Sequence, residues 1–172
     1  SYLTEKLASK GYFTVSIQHE QTTDQPLPTE GHLQTVRRPF WQLGSDNILY
    51  VLNELKKIKP DLDYKHLTLI GHSNGGDMAA LFGNQHPNLV YKIITMDNRR
   101  MFLPRTSVPK IYTLRSNDYP ADEGVLPNDE EQKKYHMTVQ PTLINHSHMD
   151  NKGDEKEQEM LNNFILKYLN EE

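Results

Sequence analysis

The chain has 172 residues, which is room for one domain. Its 19 Lys and Arg residues against 23 Asp and Glu residues give a net charge of -4, without a basic run or stripe, and this argues against nucleic-acid binding. No apolar segment is long enough to span a bilayer, and the lack of cysteine excludes disulfides, thiolate zinc sites and thiol catalysis. Hydrophobic residues make up only 35% of the chain, which is low for a self-sufficient core.

The predicted elements alternate between helices and strands. Apolar residues at helical spacing predict helices over 3–10, 45–58, 74–86 and 160–169, the second capped by Ser45 or Asp46 and stopped by Pro60. Residues 129–135 are predicted to form a short charged helix. Runs rich in β-branched and aromatic residues predict strands over 12–17, 66–70, 90–96, 108–114 and 139–144, with the proline-containing segment 18–44 as a long loop. Pro141 places the last strand at a sheet edge or a bulge. This order predicts a single α/β domain: a three-layer α/β/α sandwich with a mainly parallel sheet of about five strands.

The most informative motif is Gly71-His72-Ser73-Asn74-Gly75, which matches the pattern G-x-S-x-G between a predicted strand and a predicted helix. In that context we expect Ser73 to lie on a strained turn as a nucleophile. Glycines at 71 and 75 would avoid a collision across the bend. The backbone amide of Asn74, at the start of the helix, would stabilise an oxyanion. The competing interpretation is a glycine-rich turn that serves packing alone.

A serine nucleophile needs a base and an orienting carboxylate, and both are expected after Ser73 in the chain. Two aspartates follow predicted strands, Asp118 and Asp97, and ligands gather at the carboxyl ends of parallel strands. Asp118 is the first choice for the acid, Asp97 the second and Asp122 the third.

The base is expected in the loop after the last strand, which contains His146 and His148. Spacing alone does not choose between them. A different interpretation gives His146, His148 and Asp150 to a metal ion, because alternate residues of an extended segment share a face. Arg99 and Arg100 follow another strand and are expected to form salt bridges, with the binding of an anionic substrate group as the alternative.

Together these motifs resemble the α/β-hydrolase-fold serine esterases, over nearly the whole chain. Residues 71–77 resemble the nucleophile elbow, residues 115–118 the acid turn after the seventh strand, and residues 146–149 the histidine loop after the eighth. A histidine followed by two polar residues and Met is similar to bacterial relatives and favours His146, whereas the Ser-His pattern of dienelactone-hydrolase-like members favours His148. Only residues 98–107 stand where the family commonly has a cap domain, which implies an open site for small or surface-presented esters.

The resemblance implies a carboxylesterase that acts on a small-molecule ester through Ser73, His146 and Asp118, with an acyl-enzyme intermediate and without a cofactor or metal. A thioesterase, lipase or peptidase could use the same triad. The alternative from another class is a non-catalytic protein of this fold that binds a ligand or partner.

The chain departs from the family pattern at its start. If the strand over 12–17 corresponds to the family's fourth, the first three are absent, including a central strand whose following loop supplies a second oxyanion amide. We therefore expect residues 1–172 to be the C-terminal portion of the fold, completed by a further segment or a second chain. The sequence indicates no compartment.

Overall fold

A computed structural model describes residues 1–171 and contains one parallel sheet with helices on both faces. The strands are β1 (Thr68–His72), β2 (Lys92–Met96), β3 (Lys110–Arg115) and β4 (Thr138–Pro141), in the spatial order β1-β2-β3-β4. All three neighbouring pairs are parallel, so the carboxyl ends of the strands meet at one edge of the sheet. This is the α/β three-layer architecture that the alternating elements predict.

Six α-helices connect or flank these strands within residues 1–171. They are α1 (Tyr2–Ser9), α2 (Leu33–Val36), α3 (Arg38–Ile58), α4 (Asn74–Gln85), α5 (Asp129–Tyr135) and α6 (Glu155–Asn170). Side-chain capping fixes several starts: Asp154 accepts from the backbone N–H groups of Lys156 and Glu157 at the start of α6. In the described part of the chain, no helix combines the length and the apolar character needed to cross a membrane.

Alternate side chains of the central strands supply two separate cores. Ile93 and Ile111 pack with Trp41 and Phe82 on the face covered by α3 and α4. Ile94 and Tyr112 point to the other face, where they pack against residues of α1 and α6. Because both faces of β2 are covered, all five of its residues are buried, whereas all five residues of β1 are only partly buried.

Residues 12–17 are not a strand, so the sheet has four strands rather than the expected five. The segment pairs with no strand, and Phe13 and Val15 are 56% and 45% exposed, while Ile17 packs against the α3–α4 core. A β-rich run becomes a strand only when a neighbour completes its ladder, and within residues 1–171 no strand lies against the outer edge of β1.

The long helix α3 starts at Arg38, inside the segment expected to be a loop, and neither Ser45 nor Asp46 is its cap. Pro39 lies in its first turn, where a proline costs no hydrogen bond, and Trp41 is fully buried against the core. The predicted stop before Pro60 is confirmed, since α3 ends at Ile58. Pro141 is the last residue of β4, an edge strand, as its missing N–H predicts.

Candidate active site

Ser73 lies between β1 and α4 with φ 52° and ψ -119°, a backbone conformation that a non-glycine residue adopts at a cost of about 1–3 kcal/mol. Its N–H donates to the carbonyl of Met96 at 2.9 Å, which anchors the turn to the end of β2. The hydroxyl does not cap the helix. It is therefore free to point away from the turn.

The tightness of this turn comes from Gly71 and Gly76 rather than from Gly71 and Gly75. A Cβ at Gly71 would overlap the carbonyl group of Gly75, and one at Gly76 would lie 2.9 Å from both the Asn98 Cβ and the Gly71 oxygen. Apart from its chain neighbours and the backbone of its own helix, a Cβ at Gly75 would have no heavy atom within 4 Å. The expectation for Gly75 is wrong because its side-chain position faces open space.

His146 lies between Ser73 and Asp97. Its Nε2 is 3.0 Å from the Ser73 Oγ, and its Nδ1 is 2.5 Å from the Oδ2 of Asp97. With a proton on Nδ1, the ring donates to the carboxylate and its Nε2 can accept the serine hydroxyl proton. The three residues come from the segments that follow β1, β2 and β4, whose carboxyl ends the parallel order places along one edge of the sheet.

Asp97 is fully buried and is held by groups from the end of β3. The Arg115 guanidinium forms an ion pair with its Oδ1 at 2.7 Å. Ser116 donates to it twice, from its backbone N–H at 3.1 Å and from its hydroxyl at 2.9 Å. A buried carboxylate with this many donors stays where it can orient an imidazole.

Asp118, the first choice for the acid, does not reach the imidazole. Its Oδ1 accepts from the backbone N–H of His146 at 2.8 Å, and the residue is exposed. Partial desolvation would raise the pKa of Asp118, but the hydrogen bond from the His146 backbone N–H holds it below its usual range. The physical reason for the difference is reach: the loop after β3 meets the main chain of the histidine loop, while the Asp97 carboxylate reaches the Nδ1 of the ring.

The other candidates lie elsewhere. The ring of His148 contacts the carboxylate of Glu157 in α6 at 2.9 Å, and Asp150 accepts from the backbone N–H of Lys152. Within residues 1–171, no group of three or more His, Asp or Glu side chains is placed to hold a metal, so His146, His148 and Asp150 do not form the metal site considered above. Asp122 is exposed, and its backbone N–H donates to the carbonyl of Arg99.

The side chain of Asn74 is fixed on both sides. Its Oδ1 accepts from the indole N–H of Trp41 at 2.8 Å, and its amide donates to Glu20 at 3.0 Å. These contacts hold the first turn of α4, whose free N–H groups carry the positive end of the helix dipole toward Ser73. The sequence offered little signal for Trp41 and Glu20, because both stand in the segment expected to be a loop.

His72 contacts the backbone of the loop that carries His146. Its Nε2 lies 3.0 Å from the carbonyl oxygen of His146, and the two rings are 4.8 Å apart. Burial and the nearby charge of His146 hold the pKa of His72 below its ordinary value. The neutral ring then donates its Nε2 proton to that carbonyl. His72 thus contacts the loop that carries His146.

The arrangement is a hydroxyl, an imidazole and a buried carboxylate in one hydrogen-bonded line, with a helix N-terminus beside the hydroxyl. Such a line can remove a proton from serine as it attacks a carbonyl.

Comparison with known proteins shows one distant similarity. No model of a known protein family matches the chain. A mouse protein described as "Serine hydrolase-like protein" is 30% identical over 105 residues, an alignment that covers 58% of this chain and 33% of that protein. The match thus spans about a third of the relative's length. The chain is distantly similar to a serine hydrolase-like protein, and this similarity indicates a relationship to serine hydrolases.

Proposed function

We propose that the protein is a serine hydrolase that cleaves carboxylic esters, with Ser73 as nucleophile, His146 as base and Asp97 as the orienting acid. The observation that carries the proposal is the 3.0 Å contact between the Ser73 Oγ and the Nε2 of an imidazole whose Nδ1 rests on a buried carboxylate. The similarity to a serine hydrolase-like protein and the α/β architecture support it.

In the proposed reaction, Ser73 attacks the ester carbonyl while His146 accepts its proton. The N–H of Asn74, at the start of α4, donates to the oxyanion that develops. His146 then gives the proton to the leaving alcohol, which leaves an acyl group on Ser73. Water, activated by the same imidazole, hydrolyses the acyl-enzyme and restores Ser73. Asp97 stabilises the imidazolium and keeps the Nδ1 proton in place.

The proposal is tested with p-nitrophenyl esters of rising acyl length, run beside the Ser73→Ala variant. We expect wild-type turnover and a loss of kcat by several orders of magnitude in the variant, with its melting temperature unchanged. Equal turnover by the two proteins would reject Ser73 as the nucleophile. A panel that includes thioesters and peptides then separates an esterase from a thioesterase or peptidase.

The rival is a protein that binds a ligand at this site without turnover. What favours it is the partly exposed edge of β1, because no strand of residues 1–171 lies beside it to offer a second oxyanion donor. A fluorophosphonate probe separates the two candidates. Covalent labelling at Ser73 supports the enzyme, and an unlabelled, folded protein supports the binding function.

The same edge supports the proposal that a further segment or a second chain pairs with β1. An unpaired strand edge leaves backbone N–H and C=O groups without partners and is prone to add another strand. Intact-mass analysis of the protein from its native source tests this. A mature 20.0 kDa species that is folded and active alone would contradict it.

A further inference from the structure

We infer that Arg99 and Arg100 form a subsite for an anionic group of the substrate. The inference rests on the proposed hydrolase function, because it names the esters that this site would take: those that carry a carboxylate or a phosphate close to the scissile bond. Both arginines belong to the loop that follows Asp97 at the end of β2.

Within residues 1–171, the two guanidinium groups have no hydrogen-bond acceptor and no carboxylate partner. Both side chains are partly buried, and the Nε of each is shielded from solvent without an acceptor. The arginine ion pairs of residues 1–171 join Arg105 to Glu131 and Arg115 to Asp97, so the salt bridges expected for Arg99 and Arg100 do not form. A buried donor that lacks a partner costs free energy, and an anion bound from outside would remove that cost.

The nearby carboxylates are already engaged. Asp97 binds Arg115, Ser116 and His146, as described above. Asp77 in α4 accepts from the backbone N–H groups of Arg100 and Met101 at 3.0 and 2.8 Å, and its burial raises its pKa. Neither carboxylate makes an ion pair with Arg99 or Arg100.

A third cation lies close to this pair. The Nε of Arg37 donates to the carbonyl of Pro28 at 2.7 Å. Burial lowers the pKa of Arg37, and the positive charges of Arg100 and Arg99 lower it further, while Asp77 and Glu20 oppose this shift. Like charges that lie close together on partly buried segments repel one another, and an anion between them relieves that repulsion.

The geometry connects Arg99 to the base. The Arg99 guanidinium carbon lies 4.3 Å from the centre of the Tyr119 ring, and that ring lies 5.7 Å from the ring of His146. One aromatic ring therefore separates the cation from the imidazole. A short substrate chain would extend from a carbonyl at Ser73 to a charge at Arg99 or Arg100. Guanidinium groups suit such a task, because their fixed fork of donors matches the oxygens of a carboxylate or a phosphate.

The experiment compares pairs of chromogenic esters that differ in one charge. p-Nitrophenyl hemisuccinate against p-nitrophenyl butyrate puts the charge on the acyl side. 4-Acetoxybenzoate against its methyl ester, together with 4-acetoxyphenyl phosphate, puts the charge on the alcohol side. We expect wild type to prefer the charged member of at least one pair by about tenfold or more in kcat/KM. We expect Arg99→Gln and Arg100→Gln each to reduce that ratio about tenfold.

The matched control is Lys133→Gln, which removes one positive charge from an exposed position of α5 and should leave the ratio unchanged. Arg100→Gln is the more informative variant, because Arg100 does not stack on Tyr119, so its loss leaves that contact in place. Raising the ionic strength should lower the ratio in wild type. A ratio near one in wild type, or equal ratios in wild type and both arginine variants, would overturn the inference.

A binding measurement separates the inference from the proposed function. Calorimetric titration of the Ser73→Ala protein with monomethyl succinate, and separately with inorganic phosphate, should show binding that Ser73→Ala/Arg100→Gln lacks. Such binding without ester turnover by wild type would reject the hydrolase and keep the anion subsite. Ser73-dependent turnover without anion binding would keep the hydrolase and reject the subsite.

Discussion

The Nδ1 of His146 lies 2.5 Å from the Oδ2 of Asp97, while the backbone N–H of His146 donates to the carboxylate of Asp118. Two aspartates thus hold one histidine at two different atoms. Only the contact with the ring can fix which nitrogen carries the proton. The contact with the main chain can only position the loop.

A matched pair of variants distinguishes these two tasks. Asp97→Asn should lower kcat on a p-nitrophenyl ester by about 10³–10⁴-fold, because an amide facing Nδ1 favours the wrong tautomer of His146. Asp118→Asn keeps an acceptor for the His146 N–H and should lower kcat less than about tenfold. Steady-state kinetics measure both, and melting temperatures show whether each variant is folded. A larger loss in Asp118→Asn would make Asp118 the orienting acid.

The sequence was sufficient for the elements whose signals are local. The motif around Ser73 needs only a strand before it and a helix after it, and the alternating elements were enough to predict a parallel α/β sheet. Helix α5 occupies 129–135 as predicted, because its Asn128 cap and charged first turn are local signals.

Choosing between Asp97 and Asp118 needed the tertiary structure. Both follow strands, and their distances from the imidazole depend on how three loops cross at the end of the sheet. One signal in the sequence points to Asp97: it directly follows Ile93-Ile94-Thr95-Met96, a largely apolar strand end, where a carboxylate becomes buried and must find partners. The prediction of a strand over 12–17 was wrong for a related reason, since strand formation depends on a neighbouring strand that the local sequence does not reveal.

Because the pKa of His72 is lowered in the folded protein, we expect the free energy of unfolding to depend on pH. Its folded pKa lies below the ordinary value of about 6.5, so it is neutral in both folded and unfolded states above that pH. As the pH falls through 6.5, the unfolded chain binds the proton first, and the free energy of unfolding decreases until the folded pKa is reached. Urea denaturation between pH 7.5 and 5 should show this decrease.

In His72→Gln the decrease should become smaller, although His19 adds a contribution of its own because burial also lowers its pKa. A His72→Gln/His19→Gln protein should lose more of the slope than either single variant. An unchanged slope in His72→Gln would mean that His72 titrates normally in the folded protein.

We expect substitution of Lys92 to cause a large loss of stability. Its side chain is almost completely buried, and the ammonium group donates to the carbonyls of Tyr168 and Leu169 at 2.8 Å each and to that of Glu171 at the end of α6. Lys92→Met would leave these carbonyls without that donor and remove a cation from a helix C-terminus. We expect about 3 kcal/mol of destabilisation in urea denaturation. Lys110→Met, at a partly exposed position, should cost less than about 1 kcal/mol, and equal losses in the two variants would contradict a capping role for Lys92.

The glycines of the turn at Ser73 should respond to alanine in opposite ways. Gly71→Ala would drive a Cβ into the carbonyl group of Gly75, where only backbone movement can make room, so we expect about 1–3 kcal/mol of destabilisation and a loss of ester turnover. Gly75→Ala places its Cβ in open space within α4, and the better helix propensity of alanine should raise the free energy of unfolding by up to about 1 kcal/mol. Thermal unfolding of the two variants beside wild type measures the difference. A Gly71→Ala protein as stable and active as wild type would mean that the turn relaxes, and that the strain at Ser73 is not held in place by its neighbours.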